Sequence, residues 1–219
     1  MSVADADSTN AKLSWRGEIV AVQPRIRLTR SFDERSHTYL GYVLRLRGHV
    51  AGEAREFTIG IGKAAQAKHA FRVGDETSGE ALPVADPRLE PVEYYKVSAL
   101  KVWKRSVPAA VAPPPPPWLG VSPTLEAYRE RGHRRLDART YEAKCQCCIW
   151  GCRMPVEIIL DKWNPTEKRY RFETFCYGPK SCPAYRAGPT RKVPGRRGMQ
   201  WEEEDWVDEE VTAHRGPDD

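Results

Sequence analysis

Six cysteines in two tight groups are the residues of this chain best suited to chemistry. Cys145, Cys147, Cys148 and Cys152 form one group, Cys-x-Cys-Cys-x3-Cys, and Cys176 and Cys182 form the other, Cys-x5-Cys. Residues 1–10 carry Asp5 and Asp7, with no basic start and no apolar stretch, so they do not read as a secretory leader. The expected compartment is the cytoplasm, where thiols stay reduced and clustered cysteines serve as metal ligands more often than as a disulfide framework. Cys145-x2-Cys148 has the spacing of a metal-binding knuckle, Cys176 and Cys182 complete a four-thiolate set, and Cys152 competes for a place in it. Cys147 is the expected non-ligand, because two adjacent residues cannot easily both face one ion. Zinc is the expected metal. An iron–sulfur cluster takes the same thiolates, and redox-active or unligated thiols are a third option, since spacing alone discriminates metals poorly. A catalytic thiol would need a partner imidazole, and His37, His49, His69, His133 and His214 are scattered away from the cluster.

Bringing the two groups together requires a hairpin between them, and the sequence supplies one. Val156 to Trp163 reads as a strand, Asn164-Pro-Thr-Glu167 as the turn and Lys168 to Phe175 as the return strand, where Tyr170, Phe172 and Thr174 alternate with Arg169, Arg171 and Glu173. With Trp163 paired to Lys168, Pro155 would lie opposite Cys176 and Cys152 near the loop holding Cys182. Both groups then gather at the open end of the hairpin. This arrangement resembles a zinc ribbon, with a Cys176–Cys182 spacer longer than the usual two to four residues. The resemblance implies a structural ion. A module of roughly 60 residues buries too little apolar area alone, and zinc can supply about 10 kcal/mol or more of folding free energy.

The proline run Pro113 to Pro117 marks a boundary, since consecutive prolines favour an extended rod outside sheet or helix. The expected layout is a disordered tail over 1–11, a β-rich domain over 12–107, a Pro-rich linker over 108–118, a Cys-rich module with a basic loop over 119–198, and an acidic, Trp-containing tail over 199–219. In the first domain, Leu13 to Val22 and Arg25 to Leu28 read as strand. Tyr39 to Arg47 alternates, with Leu40, Tyr42, Leu44 and Leu46 on one face. After a turn over 48–53, Phe57, Ile59 and Ile61 form the inward face of a third strand. Lys63 to Phe71 suits a short helix, Val73-Gly-Asp75 opens a fourth strand running to Val84, and Tyr94 to Lys104 makes a fifth. Three strands, a helix and two strands, with the phrase Phe71-Arg-Val-Gly-Asp-Glu76, resemble the five-stranded Greek-key OB-fold barrel; an SH3-like barrel is the other topology that fits. The fold class expected is therefore mainly β: an OB-like barrel plus a small metal-bound hairpin module with a short helix. That helix is expected over 122–131, with Ser122 as its N-cap and its end near Gly132.

Charge is unevenly spread. The chain carries +5 overall, residues 109–198 carry +9 and residues 199–219 carry −8. A basic body suits a polyanion, and the resemblance to OB-folds implies single-stranded nucleic acid or structured RNA held by aromatics and cations on the face of strands two and three. The candidate contacts are Arg25, Arg27, Arg30, Tyr39, Arg45 and Arg47, with Arg191, Lys192, Arg196 and Arg197 from a Gly- and Pro-rich basic loop. Trp201 and Trp206 are expected to pin the acidic tail back onto a domain. A protein–protein adaptor uses the same features without a nucleic-acid ligand, and an iron–sulfur centre would instead imply electron transfer. Phosphate-cradling Gly-rich loops, Gly-x-Ser-x-Gly and His-Glu-x-x-His are all missing from the sequence, so no motif supports an enzyme. The longest apolar run is far short of the ~20 residues that cross a bilayer, so a membrane partner is not expected.

Overall fold

The computed structural model describes residues 11–31, 34–107, 116–203 and 205–219. Residues 1–10 of the expected N-terminal tail (1–11) and residues 108–115 of the expected linker (108–118) lie outside them. The chain is mainly β. Its first strand, β1 (Leu13–Arg30), is 18 residues long and bulged at two places, between Ile19 and Ala21 and between Arg25 and Ile26. Bulges bend and twist a strand. β1 pairs antiparallel with β2 (Arg35–Val50) along its length and with β4 (Glu76–Pro83) through residues 13–18. β3 (Glu53–Ile61) pairs antiparallel with β2 and touches β5 (Tyr94–Lys104) in parallel at Ile59 and Tyr94, while β5 also pairs with β4. The pairings thus run β1–β2–β3–β5–β4 and return to β1.

Alternation within these strands does what period two requires. Tyr42, Leu44 and Leu46 are buried against Phe57, Ile59 and Ile61. The helix α1 (Lys63–His69) follows β3, and Phe71 is fully buried beneath it. Gly74 then takes φ +86°, where a side chain would be strained, and donates its N–H to the Ile19 carbonyl at 2.8 Å. The buried Asp75 carboxylate accepts from the Arg72 and Ser106 N–H groups and from Arg105 Nη1. Gly41 is the second position where only glycine fits: at φ +136° an added Cβ would stand 2.0 Å from the Ile61 carbonyl oxygen.

The second half does not stand apart. β7 (Gly151–Asp161) lies parallel to the end of β1, pairing Val156, Glu157 and Ile158 with Leu28, Thr29 and Arg30. β8 (Asn164–Cys176) and the two-residue β6 (Arg134–Arg135) extend the same sheet to eight strands. Met154, Val156, Ile158, Phe175, Tyr177 and Tyr128 join the core built on β1–β3. The hairpin therefore borrows a core instead of lacking one, which removes the energetic need for metal inferred from its small size. Its turn also falls earlier than expected. Asp161 pairs with Asn164 and Gly151 with Cys176, because Asp161 Oδ1 accepts the Trp163 N–H at 2.9 Å and closes the chain over Lys162-Trp163.

Ser122 is not the N-cap of α2 (Leu125–Arg131). Thr124 caps it, accepting from the Ala127 N–H at 3.2 Å, while the Ser122 hydroxyl bonds the Val22 carbonyl and ties the entering chain to β1. The helix ends at Gly132 as expected. A short helix α3 (Ala138–Thr140) runs into a π-helical turn at Tyr141–Cys145. A small hairpin, β9 (Arg191–Pro194) with β10 (Gln200–Glu203), leads to the last helix, α4 (Asp205–Val211). No helix among the described residues is long and apolar enough to cross a membrane.

Candidate functional site

The π-helical turn and the two ends of the β7–β8 hairpin bring the cysteine groups to one place. Gln23, buried on β1, donates through Nε2 to the carbonyls of Cys145 at 2.8 Å and Cys148 at 2.9 Å, and accepts from the Tyr141 hydroxyl at 2.7 Å. The Cys148 N–H closes a turn on the Cys145 carbonyl at 3.1 Å, and the Gly151 N–H bonds the Cys148 carbonyl at 3.0 Å. Cys145, Cys148 and Cys176 share a buried cluster with Leu136 and Tyr141, lined by Trp118, Trp150 and Tyr185. Cys182 sits partly exposed on the following turn, its N–H on the Pro179 carbonyl. Burial pushes the Cys145 thiol up to about 12, with Cys148, Cys176, Cys182 and Cys147 adding repulsion, and pushes Cys148 up to about 11. Cys152 belongs elsewhere: it is fully buried in the main core, with its thiol 3.5 Å from the Pro24 carbonyl. Among the described residues, no three His, Cys, Asp or Glu side chains are grouped closely enough to hold a metal ion as they stand.

The expected nucleic-acid contacts divide into buried and accessible ones. Arg25 and Arg27 both grip Glu90, at 2.7 and 3.0 Å. Arg30 is inside the protein, with its side chain 2% exposed, bonded to Glu203 at 2.9 Å and facing the Trp201 ring. Arg191 is buried against Glu173 at 2.7 Å and over Phe175. Each of these four guanidiniums is thus paired with a carboxylate of the fold, Arg30 and Arg191 well inside it. Arg47 is exposed but paired with Glu56, and the Tyr39 ring is covered by the Arg129 guanidinium at 4.8 Å. Lys192, Arg196 and Arg197 remain on the surface around the β9–β10 turn. The acidic tail docks as expected through Trp201, with Glu203 between Arg30 and Arg35 and Asp208 on Arg135. Trp206, in contrast, is more than half exposed, because it lies on the outer side of α4.

Arg45 is the predicted residue that the fold places at a cleft. Three adjoining hollows of about 390, 670 and 430 Å³ all have Arg45 in their lining. One wall is the outer face of β2 and β3, with Val43, Glu56 and Thr58; the other is the cysteine turn and the hairpin, with Tyr141, Gln146, Arg153 and Phe172. Arg45 Nη1 donates to Gln146 Oε1 across the cleft, and the Arg153 guanidinium lies 4.1 Å over the Phe172 ring. The carboxylates along this lining are largely matched: Glu56 by Arg47, Glu90 by Arg25 and Arg27, Glu93 by Arg55, and Glu173 by Arg171 and Arg191. Among the described residues Arg45 and Arg153 have no carboxylate partner, and Glu142 at the rim has no cationic one. The cleft therefore presents two unmatched guanidiniums beside the Phe172 ring, with Tyr141 in its wall but only 4% exposed. Arg153, Tyr141 and Phe172 were not singled out from the sequence. Phe172 alternates with charged neighbours on its strand, and nothing local linked it to Arg45. No protein-family model, curated protein or solved structure matches the chain.

Proposed function

We propose that this protein binds single-stranded nucleic acid in the cleft centred on Arg45. The circuit of strand pairings from β1 back to β1, with a helix between β3 and β4, is read here as an OB-like barrel. Such barrels take oligonucleotides on the face of their second and third strands. The observation that carries the reading is the pair of carboxylate-free guanidiniums, Arg45 on β2 and Arg153 on the facing β7, beside the partly buried Phe172 ring. Cations that are not already neutralised can release counterions from a phosphate chain, and aromatic faces stack bases without regard to sequence. The hollows are of the size that small ligands occupy, ~300–1,000 Å³, so a nucleotide or two can enter each. Arg196 and Arg197 supply further positive charge at the β9–β10 turn.

Fluorescence anisotropy of labelled oligo(dT) and oligo(rU) tests this. Binding is expected at about 50 mM salt and should weaken steeply towards ~200 mM. Arg45→Ala and Arg153→Ala should each lower affinity several-fold and reduce the salt slope by about one. Arg169→Ala, away from the cleft lining, should leave both unchanged. Absence of binding at low salt, or an unaltered affinity in the Arg45→Ala/Arg153→Ala double variant, would end the proposal.

A further inference from the structure

We infer that Cys145, Cys148, Cys176 and Cys182 bind one zinc ion as four thiolates, and that Arg131, Arg134 and Arg215 form the cationic shell around it. Convergence is the first support. The β7–β8 register sets Gly151 opposite Cys176, so residues 145–148 and 176–182 emerge from the same end of one hairpin. Gln23 holds the first pair by its carbonyls, and three of the four cysteines share one buried cluster.

The backbone is already arranged for sulfur anions. The Gly178 N–H points at Cys176 Sγ, 3.4 Å away. Hydrogen bonds of this kind favour the thiolate over the thiol, as metal ligation requires.

The surrounding charge is the independent observation. Arg131 Nε and Arg215 Nη1 donate to the Tyr177 carbonyl, Arg215 also to Gly178, and Arg134 to Pro179 and Lys180. All three guanidiniums thus clasp the loop between Cys176 and Cys182, beside the thiol cluster. Arg131 lies over Trp150 and Arg134 over Tyr185, two rings that line that cluster. Carbonyls satisfy hydrogen bonds but carry no net charge, and none of the three has a carboxylate within ion-pair distance among the described residues. Among the described residues, Arg134 Nε and Arg215 Nε and Nη2 have no hydrogen-bond partner. Burial, with repulsion from Arg131 and Arg134, pulls Arg215 down to about 10, while Cys176 and the terminal Asp219 oppose that shift. Three clustered cations with open donors call for a nearby anion. A divalent ion on four thiolates is a dianion: four thiols give up four protons to solvent, and the product carries two negative charges.

The same geometry excludes the other two cysteines. Cys152 faces the Pro24 carbonyl in the main core. Cys147 is turned to the cleft, where it lines the hollow with Pro116, Lys144 and Gln146. Closing on an ion requires the thiols to draw together, and Cys182 is the one of the four that lies outside the buried cluster. Because Gln146 sits between Cys145 and Cys148 and bonds Arg45, the ion would also hold the outer wall of the cleft in place.

Elemental analysis of the full chain, purified without added metal, is the direct test, with one zinc per chain and neither iron nor acid-labile sulfide expected. Cys147→Ser and Cys152→Ser should keep the ion, and Cys182→Ser should lose it. Cobalt exchange into the unmodified chain is the second measurement, independent of any effect of a substitution on folding; thiolate-to-cobalt charge-transfer bands with the visible pattern of a four-sulfur tetrahedron are expected. Arg215→Met should hand zinc to a chromogenic chelator about 10-fold faster or more, as loss of an outer-shell partner does elsewhere, whereas Arg169→Met should not. A chain purified free of zinc, one carrying iron and sulfide, or a Cys152→Ser variant that loses the ion as Cys182→Ser does would overturn the assignment.

Discussion

In the Glu203→Gln variant, the denaturation midpoint should fall by the equivalent of about 3–5 kcal/mol, with the dependence on denaturant unchanged. Glu203 closes β10 and bridges two strands that lie 168 and 173 residues away in sequence, accepting from Arg35 Nη1 at 3.0 Å and Arg30 Nη1 at 2.9 Å. Arg30 and Glu203 are 2% and 6% exposed at their side chains, so water cannot replace a lost partner. Burial alone would raise the Glu203 carboxyl, but Arg30, Arg191 and Arg35 together hold it below its ordinary range. The amide keeps the shape and one acceptor oxygen but removes the charge, leaving a buried guanidinium uncompensated. A buried ion pair contributes little over a well-packed apolar pair, whereas breaking it from one side is costly. Arg30→Met combined with Glu203→Gln should therefore be more stable than Glu203→Gln alone. A single variant within ~0.5 kcal/mol of the parent, the usual range for surface changes, would mean that the tail does not fasten the sheet.

Stability should also decline as pH falls from about 6.5 towards 4, above the range in which most carboxylates titrate. His37 and His133 lie tilted against each other with ring centroids 4.8 Å apart, and His133 is flanked by Phe175 and Tyr177. Burial, then Arg35 and Arg30, bring His37 down to about 4, with Glu203 opposing; burial, His37 and the surrounding arginines lower His133 well below its usual value. Both imidazoles are thus neutral in the fold, while the unfolded chain takes up protons from about pH 6.5 downward. Proton uptake by the unfolded state favours it, so stability is fully present above that pH and is lost as pH drops through the window. For His37 the loss is on the order of 3 kcal/mol, and His133 adds to it in the same direction. Asp208 works the other way, since burial raises its carboxyl and protonation on acidification relieves it. Urea midpoints at intervals between pH 7.5 and 4.5 measure the slope. His133→Phe, which keeps an edge-on ring against Phe175, should flatten it. A flat profile above pH 5, or an equal slope in His133→Phe, would contradict this account.

Much of the strand framework was legible in local pattern. The expected fifth strand coincides with β5, Tyr94–Lys104, and the apolar alternations of β2 and β3 are the buried faces. Both follow from period two, which any half-buried strand must obey. The turn of the β7–β8 hairpin was misplaced because Asn164-Pro165 is a general turn signal, while the side-chain bond from Asp161 to the Trp163 N–H is specific and won. The Thr124 cap was missed for a similar reason: Ser122, equally suited as a cap, was recruited by Val22 on β1.

The candidate site was legible only in part. Cysteine spacing and a hairpin between the groups already implied that the thiols meet, since both are short-range features. Which cysteines belong together depended on the side of the sheet each one faces, and that follows from register. The fate of the arginines was wholly tertiary. Arg25 finds Glu90 at a separation of 65 residues and Arg30 finds Glu203 at 173, so composition could count the cations but not say which were neutralised. Local chemistry along the chain thus determined strands, turns and the presence of a thiol cluster, because those depend on neighbours a few bonds apart. The folded sheet decided that Arg45 and Arg153 face a cleft while Arg30 and Arg191 lie inside, because electrostatic partners are chosen by distance in space.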